Sequence, residues 1–302
     1  MTTKMVRYKL TNVGDYTNVE RSTTDDHLIE MWIHKKRSPH TQDAYRRDIT
    51  FFRARVQKPI QALLYSDLQS FSESLVDSPY QKASSQARLH NAVKSLFSFA
   101  MKLGYIRMNP AAMLDTPKVP GDLAARILTE EQVLLMFALE QDERNQILLR
   151  LLYESAARVS ELCALTWANL QTNAKVGGQI TVHGKGDKKR SIPISRQLYE
   201  KVLSLRNGAD YDEPVFVSRQ HGPLTRVRVF TIVSTAAKRA DIPGKVSPHW
   251  LRHAHASHAL DRHAPIQLVK ETLGHANIAT TNNYAHAKPS ESSSTYLVTF
   301  SQ

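Results

Sequence analysis

Side chains that could act together on a phosphate ester recur in four short segments of the C-terminal half. The segments are residues 157–162 (ARVSEL), 183–186 (HGKG), 249–252 (HWLR) and 273–275 (LGH), and a lone tyrosine follows at Tyr284. Guanidinium groups can bind two phosphate oxygens at once, imidazoles transfer protons, and a phenol can serve as a nucleophile. Each segment alone has a plainer interpretation, such as a solvated arginine, a tight turn or amphipathic packing. Only the set, in this order, indicates a site.

Helices and one hairpin are expected to position these segments. A capping-box pattern at 129–132 starts one helix, and another covers about 145–156, so that 157–162 lies at a junction between helices. Strands over 179–183 and 190–194 flank the turn at 184–187, which makes the second segment a hairpin tip. Ser247-Pro248 is a good helix start for 247–262. Further helices are predicted near 196–206, 225–241, 266–273 and 277–287, and an additional strand at 214–218.

The N-terminal half predicts a helical bundle with no strand. Apolar residues at 28, 29, 32 and 33 lie on one helix face, and Thr41 is expected to cap a second helix. A short helix near 68–75 and a long one over 83–103, stopped by Gly104, complete the bundle. Prolines and a glycine at 116–124 predict a linker. We therefore expect a flexible basic arm over 1–21, a helical domain over 22–115, a second domain over 125–288 and a tail over 289–302.

The composition favours a polyanionic partner. Of the 302 residues, 40 are Lys or Arg and 28 are Asp or Glu, which gives a net charge of +12. Nucleic acid is the first candidate and an anionic membrane surface the second. No apolar stretch is long enough to span a membrane, no secretory signal is evident at the N-terminus, and the single cysteine, Cys163, cannot form an intramolecular disulfide. Candidate phosphate contacts outside the four segments are Arg46, Arg47, Arg53, Arg88, Lys94, Arg226, Arg228, Lys238 and Arg239.

Taken together, the segments resemble the tyrosine recombinase (phage integrase) family, and closely its Xer-like branch. The family pattern is an A-R-x-S-E-L box, a G-K-G hairpin, H-x-x-R-H, L-G-H and a tyrosine nine residues after that histidine, which is the spacing from His275 to Tyr284. Ser38, Thr41 and Tyr45 have the spacing seen in the family's core-binding domain. The resemblance implies a mainly α protein: a helical, SAM-like core-binding domain over 22–115, then an α-rich catalytic domain with a small antiparallel sheet, the DNA breaking-rejoining fold.

The resemblance also implies a site-specific recombinase that cleaves and rejoins DNA through a covalent 3′-phosphotyrosine. Tyr284 would be the nucleophile, and Arg158 and Arg252 would bind the nonbridging phosphate oxygens while His275 donates a further hydrogen bond. The two arginines are expected to lower the pKa of the Tyr284 phenol. No metal, ATP or other cofactor is implied.

Four further residues receive roles by the same resemblance. His249 is expected to accept the tyrosine proton as general base, and Lys185 to protonate the departing 5′-oxygen as general acid, with Lys188 the next candidate for the acid. Glu161 is expected to orient a catalytic arginine or histidine, with an acid on the exposed face of a helix as the alternative. His253 is expected to pack or hydrogen-bond near the site.

The implied partners are double-stranded DNA at a specific recombination site and other protomers. Two duplexes and four protomers, as a homotetramer or heterotetramer, would assemble in the cytoplasm at the nucleoid, and the apolar tail around 296–300 would dock onto a neighbour or pack on its own domain. A type IB topoisomerase and a non-catalytic DNA-binding member are the alternatives. Seven of the 13 histidines lie within 249–286, but no metal-binding spacing accompanies them. The target sequence and the biological role stay open.

Overall fold

The computed structural model describes residues 24–75, 78–80, 82–119, 124–184, 189–275, 277, 281 and 284. The chain divides into two compact units, Met1–Gly121 and Asp122–Gln302. The division falls within the stretch from which a linker is predicted. The arm over 1–21, the hairpin tip at 185–188 and the tail over 289–302 lie outside the described residues.

The described part of the first unit is helical. Its α-helices are α1 (Asp25–His34), α2 (Pro39–Val56), α3 (Tyr65–Glu73) and α4 (Ala83–Lys102), and a 3₁₀ turn covers Ile60–Ala62. Phe52 lies at the centre of the core, with its ring centroid 4.9 Å from that of Phe71 and 6.2 Å from that of Phe97. Edge-on aromatic packing of this kind stabilises the bundle beyond the burial of apolar area alone.

Helix α2 begins three residues earlier than predicted. Ser38 rather than Thr41 is its N-cap, and Pro39 is its first residue. Proline suits that position because its missing N–H would have no partner in the first turn. At the far end of the bundle α4 stops at Lys102, and Gly104 adopts φ +73°, the left-handed conformation that ends a helix.

The described part of the second unit surrounds a small antiparallel sheet with helices. Its helices are α5 (Glu130–Ala138), α6 (Glu143–Ser155), α7 (Val159–Cys163), α8 (Arg196–Ser204), α9 (Arg226–Arg239), α10 (Pro248–Asp261) and α11 (Ile266–Leu273), with 3₁₀ turns at Ala124–Arg126 and Trp167–Asn169. Its strands are β1 (Leu170–Asn173), β2 (Gly177–His183) and β3 (Lys189–Ser195), in the order β1-β2-β3. Thr281 and Tyr284 are also helical. The fold class predicted from the sequence is confirmed.

The predicted hairpin forms, and its register places an apolar face in the core. Ile180 pairs with Ile192, and Val182 pairs with Arg190. Strand β1 was not predicted, because its sequence, LQTN, has no apolar alternation. The strand predicted at 214–218 is wrong: that segment makes only isolated bridges, at Thr166–Pro214 and Val217–Pro223. No helix in the described part of the chain is both long and apolar enough to cross a bilayer.

Candidate active site

The break between α6 and α7 sets the position of Arg158. Helix α6 ends at Ser155, and its C-cap, Ala156, adopts φ +47° and is fully buried. Ser155 stabilises this turn, since its hydroxyl accepts a hydrogen bond from the amide of Ala157 (3.2 Å). Arg158 is the N-cap of α7, and its side chain is 33% exposed. The chain therefore turns sharply just before the arginine and leaves part of its guanidinium accessible.

Glu161 binds two arginines from a buried position. Its carboxylate, 3% exposed, accepts hydrogen bonds from Arg158 Nη1 (2.9 Å) and the Arg158 amide (2.7 Å). Arg190 binds the same carboxylate through both Nη atoms, at 2.9 and 2.8 Å. Burial opposes ionisation of Glu161, but the hydrogen bonds from Arg190 and Arg158 outweigh it, and the pKa of the carboxyl lies below its ordinary value.

Arg190 was not predicted as a site residue. Its Nε donates to the Thr272 carbonyl (3.1 Å), so it joins Glu161 to the last turn of α11. The signal in the sequence is the face of β3 on which Arg190 lies. Arg190 alternates with the exposed positions and shares a face of the strand with the buried residues Ile192 and Ile194. An arginine on the inward face of a strand needs an internal partner.

Arg252 is the more buried of the two predicted catalytic arginines. It extends from α10 and is 5% exposed. Its Nη1 donates to the Ala156 carbonyl and its Nη2 to the Leu273 carbonyl (2.5 Å), so the ends of α6 and α11 both fix its orientation. Burial, together with the positive charge of Arg158, lowers the pKa of Arg252 to about 10. The guanidinium therefore stays charged at neutral pH.

Tyr284 is buried between two histidines. Its side chain is 6% exposed, its hydroxyl lies 2.8 Å from His253 Nδ1, and its ring stacks on that of His275 with centroids 6.3 Å apart. The phenol contacts His253, and no hydrogen bond joins it to His249 among the described residues. One expectation needs correction: the pKa of Tyr284 is raised rather than lowered, because burial outweighs the opposing charge of Arg252.

The histidines of the site are neutral at pH 7. Burial and nearby positive groups lower the pKa values of His253 and His275 to about 4, and that of His249 also lies below its ordinary value. The positive charges of Arg252 and Arg158 contribute to this lowering of the His249 pKa after burial. The imidazole of His275 is held by Thr281, whose Oγ1 lies 3.0 Å from Nδ1.

The loop that carries His275 is fixed by its neighbours. Gly274 adopts φ +63°, and its carbonyl accepts a hydrogen bond from Arg158 Nη2 (3.3 Å). A Cβ at this position would lie 3.0 Å from Arg190 Nη1. Glycine therefore suits this position, because its backbone adopts positive φ at little cost and a Cβ would press on the Arg190 guanidinium.

The structure thus brings together Arg158, Glu161, His249, Arg252, His275 and Tyr284, and adds Arg190 and His253 to them. Lys185 and Lys188 lie outside the described residues. In the described part of the chain no group of three or more His, Cys, Asp or Glu side chains is arranged to hold a metal ion. The two remaining α10 histidines lie at Tyr153, with which His258 makes a 2.9 Å hydrogen bond and His255 an edge-on ring contact.

The candidate phosphate contacts divide into two groups. Several already bind protein groups: Arg46 pairs with Glu30, Arg53 with Asp25, Arg88 with Asp48, Arg239 with Glu140, and Lys94 donates to the Leu114 carbonyl. Arg47, Arg228 and Lys238 are exposed, and none forms an ion pair with an acidic residue that the structure describes. Arg226 is the exposed first residue of α9. The second group offers the more accessible positive charge.

Sequence comparison matches this chain to two family models and to curated relatives. The model described as "Phage integrase family" matches residues 126–291, and that described as "Phage integrase, N-terminal SAM-like domain" matches residues 25–104. Tyrosine recombinase XerC of Xylella fastidiosa (strain 9a5c) is 34% identical over 272 residues, which cover 87% of this chain and 91% of that protein. Tyrosine recombinase XerC of Halalkalibacterium halodurans is 30% identical over 278 residues, covering 86% of this chain and 90% of that protein.

Solved structures share the fold at lower identity. A lambda integrase dimer bound to a COC′ core site superposes with a TM-score of 0.70 at 18% identity, covering 91% of this chain and 81% of that one. The XerH site-specific recombinase bound to a difH substrate superposes with a TM-score of 0.67 at 19% identity, covering 82% of this chain and 77% of that one.

Proposed function

This chain belongs to the phage integrase family and is a tyrosine recombinase, an enzyme of site-specific DNA recombination; from that premise we propose how its residues cleave and rejoin DNA. Tyr284 attacks the scissile phosphate and forms a covalent 3′-phosphotyrosine. The observation that supports this assignment is a buried phenol that lies between two neutral histidines and within the field of the Arg252 guanidinium.

The two arginines bind the nonbridging phosphate oxygens. A guanidinium has five N–H donors. The two carbonyls that hold Arg252 occupy only part of this set, and the remaining donors can meet a phosphate. Arg158 is oriented by Glu161 and keeps a third of its side chain exposed. Because charge on the phosphate oxygens grows during the reaction, two guanidinium groups held in place by other contacts stabilise the transition state without reorganisation.

Neutral imidazoles and a lysine complete the site. We assign His275 as a hydrogen-bond donor to the phosphate, and Lys185 as the acid that protonates the departing 5′-oxygen, with Lys188 as the alternative. We assign His249, whose pKa lies below its ordinary value, as the general base that accepts the Tyr284 proton. After cleavage the 5′-hydroxyl of another strand attacks the phosphotyrosine, so the bond energy is conserved without ATP or a metal.

The proposed partner is duplex DNA at a specific site, bound by four protomers on two duplexes. The net charge of +12 and the exposed side chains Arg47, Arg228 and Lys238 support binding to a polyanion. The DNA-bound states of the lambda integrase and XerH neighbours support the same partner. We further propose that the tail over 289–302 docks onto a neighbouring protomer and that the protein acts at the nucleoid.

A nicked suicide duplex tests this proposal. When cleavage releases a short 5′-hydroxyl oligonucleotide, religation fails and the covalent adduct accumulates. With the candidate site of the host element and EDTA present, the wild-type protein should form an adduct that Tyr284→Phe does not form. Tyr211→Phe is the matched control, because Tyr211 is 67% exposed on the same unit and should react as the wild type does. An adduct with Tyr284→Phe, or one that EDTA abolishes, would contradict the proposal.

A further inference from the structure

We propose that Arg190 is a positioning residue of this recombinase, which holds the catalytic arginine Arg158 in place through Glu161 and the end of helix α11. The proposal rests on the proposed function, in which Arg158 binds the scissile phosphate. The family pattern gives Arg190 no role. Its place on the inward face of β3 brings it to the site.

Three consecutive backbone carbonyls at the end of helix α11 each accept a hydrogen bond from a different arginine. The pairs are Arg190 Nε with Thr272 (3.1 Å), Arg252 Nη2 with Leu273 (2.5 Å) and Arg158 Nη2 with Gly274 (3.3 Å). The last carbonyls of a helix lack partners within it and carry partial negative charge, so guanidinium groups are favourable there. One short piece of backbone therefore helps to set the positions of both catalytic arginines and of Arg190.

The guanidinium of Arg190 is engaged in contacts inside the protein. Both of its Nη atoms bind the Glu161 carboxylate, at 2.9 and 2.8 Å, and its side chain is 15% exposed. Such a two-pronged pair fixes the geometry of both partners as well as their charge. Arg158, by contrast, keeps a third of its side chain accessible. Arg190 is therefore suited to holding the carboxylate, and Arg158 to meeting a ligand.

Glu161 transmits this constraint to Arg158. The same carboxylate accepts hydrogen bonds from Arg158 Nη1 (2.9 Å) and from the Arg158 amide (2.7 Å). Burial raises the pKa of the Glu161 carboxyl, and the side-chain hydrogen bonds from Arg190 are the largest of the effects that lower it. Arg190 thus helps to keep Glu161 ionised, and an ionised carboxylate binds a guanidinium more strongly than a neutral one does.

Arg190 also packs on the loop that leads to His275. A Cβ on Gly274 would lie 3.0 Å from Arg190 Nη1, so the guanidinium lies directly against this backbone. Arg158 is bound to the same two places, through the Glu161 carboxylate and the Gly274 carbonyl. Loss of Arg190 would therefore loosen both of the contacts that orient Arg158 toward a phosphate.

Cleavage of a methylphosphonate substrate tests the proposal. A methyl group replaces one nonbridging oxygen of the scissile phosphate and removes the negative charge that Arg158 is proposed to stabilise. On the ordinary phosphate at saturating DNA, Arg190→Met should cleave roughly 10- to 100-fold more slowly than the wild type, as expected for a misplaced catalytic group, with unchanged DNA affinity. On the methylphosphonate isomer that most reduces the Arg158→Ala defect, the Arg190→Met defect should shrink at least about fivefold.

This comparison separates positioning from a general structural role. One preparation cleaves both substrates, so a smaller folded fraction lowers both rates equally and leaves their ratio unchanged. A 5′-sulfur leaving group, which departs without an acid, should leave the Arg190→Met defect at full size. Arg144→Met is the control, because Arg144 also holds the carbonyl of another segment of this unit, that of Val217 (2.7 Å). Arg144→Met should cleave every substrate at close to the wild-type rate.

The double variant Glu161→Gln/Arg190→Met tests the route through Glu161. Because it removes both charges of the pair, neither is left buried without a partner. Its cleavage rate should match that of Glu161→Gln within about twofold, since residues that act through one another are not additive.

Four results would overturn the proposal. They are a wild-type rate for Arg190→Met, a defect of equal size on the phosphate and the methylphosphonate, rescue by the 5′-sulfur substrate, and a double variant slowed by the product of the two single defects. Wild-type cleavage by Arg158→Ala, or adduct formation by Tyr284→Phe, would instead refute the proposed function itself.

Discussion

Replacement of Glu161 by glutamine tests whether this carboxylate positions the catalytic arginine. The amide keeps the shape of the side chain but removes the negative charge that accepts hydrogen bonds from Arg158 and Arg190. Two guanidinium groups would then face each other across a neutral, buried amide. Arg158 would lose the group that fixes its orientation toward a bound phosphate.

The structure sets the size of the expected effect. Removing one partner of a buried ion pair costs about 3–5 kcal/mol. Arg158 and Arg190 retain 33% and 15% side-chain exposure, so water can compensate part of their charge. We therefore expect Glu161→Gln to lower the free energy of unfolding by about 2–4 kcal/mol. Misplacement of Arg158 should slow cleavage roughly 10- to 100-fold at saturating DNA.

Glu140→Gln is the matched control for this prediction. The Glu140 side chain is also 3% exposed and is bound by an arginine, Arg239, on the same unit. Both substitutions should shift urea unfolding of the full chain by similar amounts, but only Glu161→Gln should slow single-turnover cleavage at saturating DNA. In the double variant Glu161→Gln/Arg190→Met, removal of the unpaired Arg190 charge should recover part of the stability and none of the cleavage rate. Equal cleavage by Glu161→Gln and Glu140→Gln would refute the positioning role.

Two further predictions concern a backbone contact and the protonation of the site. Gly274→Ala and Gly208→Ala each place a Cβ at positive φ (+63° and +81°), which costs about 1–2 kcal/mol of stability in each variant. Only the Cβ at position 274 meets Arg190, at 3.0 Å, so only Gly274→Ala should slow cleavage. Equal cleavage rates for the two variants would show that the close approach of Arg190 to Gly274 does not matter for cleavage. The pKa values of His253 and His275 are about 4 in the folded protein, below the ordinary histidine value of 6.5 that applies to the unfolded chain. As the pH falls below 6.5, the unfolded chain therefore binds protons at these histidines while the folded protein does not, and the unfolded state is favoured. Stability should therefore fall by about 1–2 kcal/mol between pH 6.5 and 5 after allowing for solvent screening, and a flat profile in urea unfolding would contradict it.

Local signals allowed most of the second unit to be predicted. The hairpin with strands over 179–183 and 190–194 and the capping box at Thr129 both follow from patterns of a few adjacent residues, and both strands and the capping box form as expected. Strand β1 was missed because it is polar and depends on pairing with β2 rather than on its own sequence. The segment around Val215 has strand-forming residues, but it joins neighbouring loops by isolated bridges instead of entering the sheet.

The site was predictable as a set of residues and not as a set of contacts. A family pattern indicates that Tyr284, Arg158 and Arg252 belong together, but it carries no information on burial. The raised pKa of Tyr284 arises from burial, which depends on long-range packing. Whether His249 or His253 contacts the phenol likewise depends on the direction in which each side chain leaves α10 and on the position of Tyr284. Neither quantity can be calculated from the spacing of residues along the chain.

Mass spectrometry of the covalent adduct tests the central claim most directly. Trypsin should release residues 271–302 as one peptide, since Lys288 is followed by Pro289, and this peptide contains two tyrosines, Tyr284 and Tyr296. After nuclease digestion of an adduct formed in EDTA, the account predicts a nucleotide attached to Tyr284 alone. Attachment to Tyr296, or to a residue outside this peptide, would contradict it.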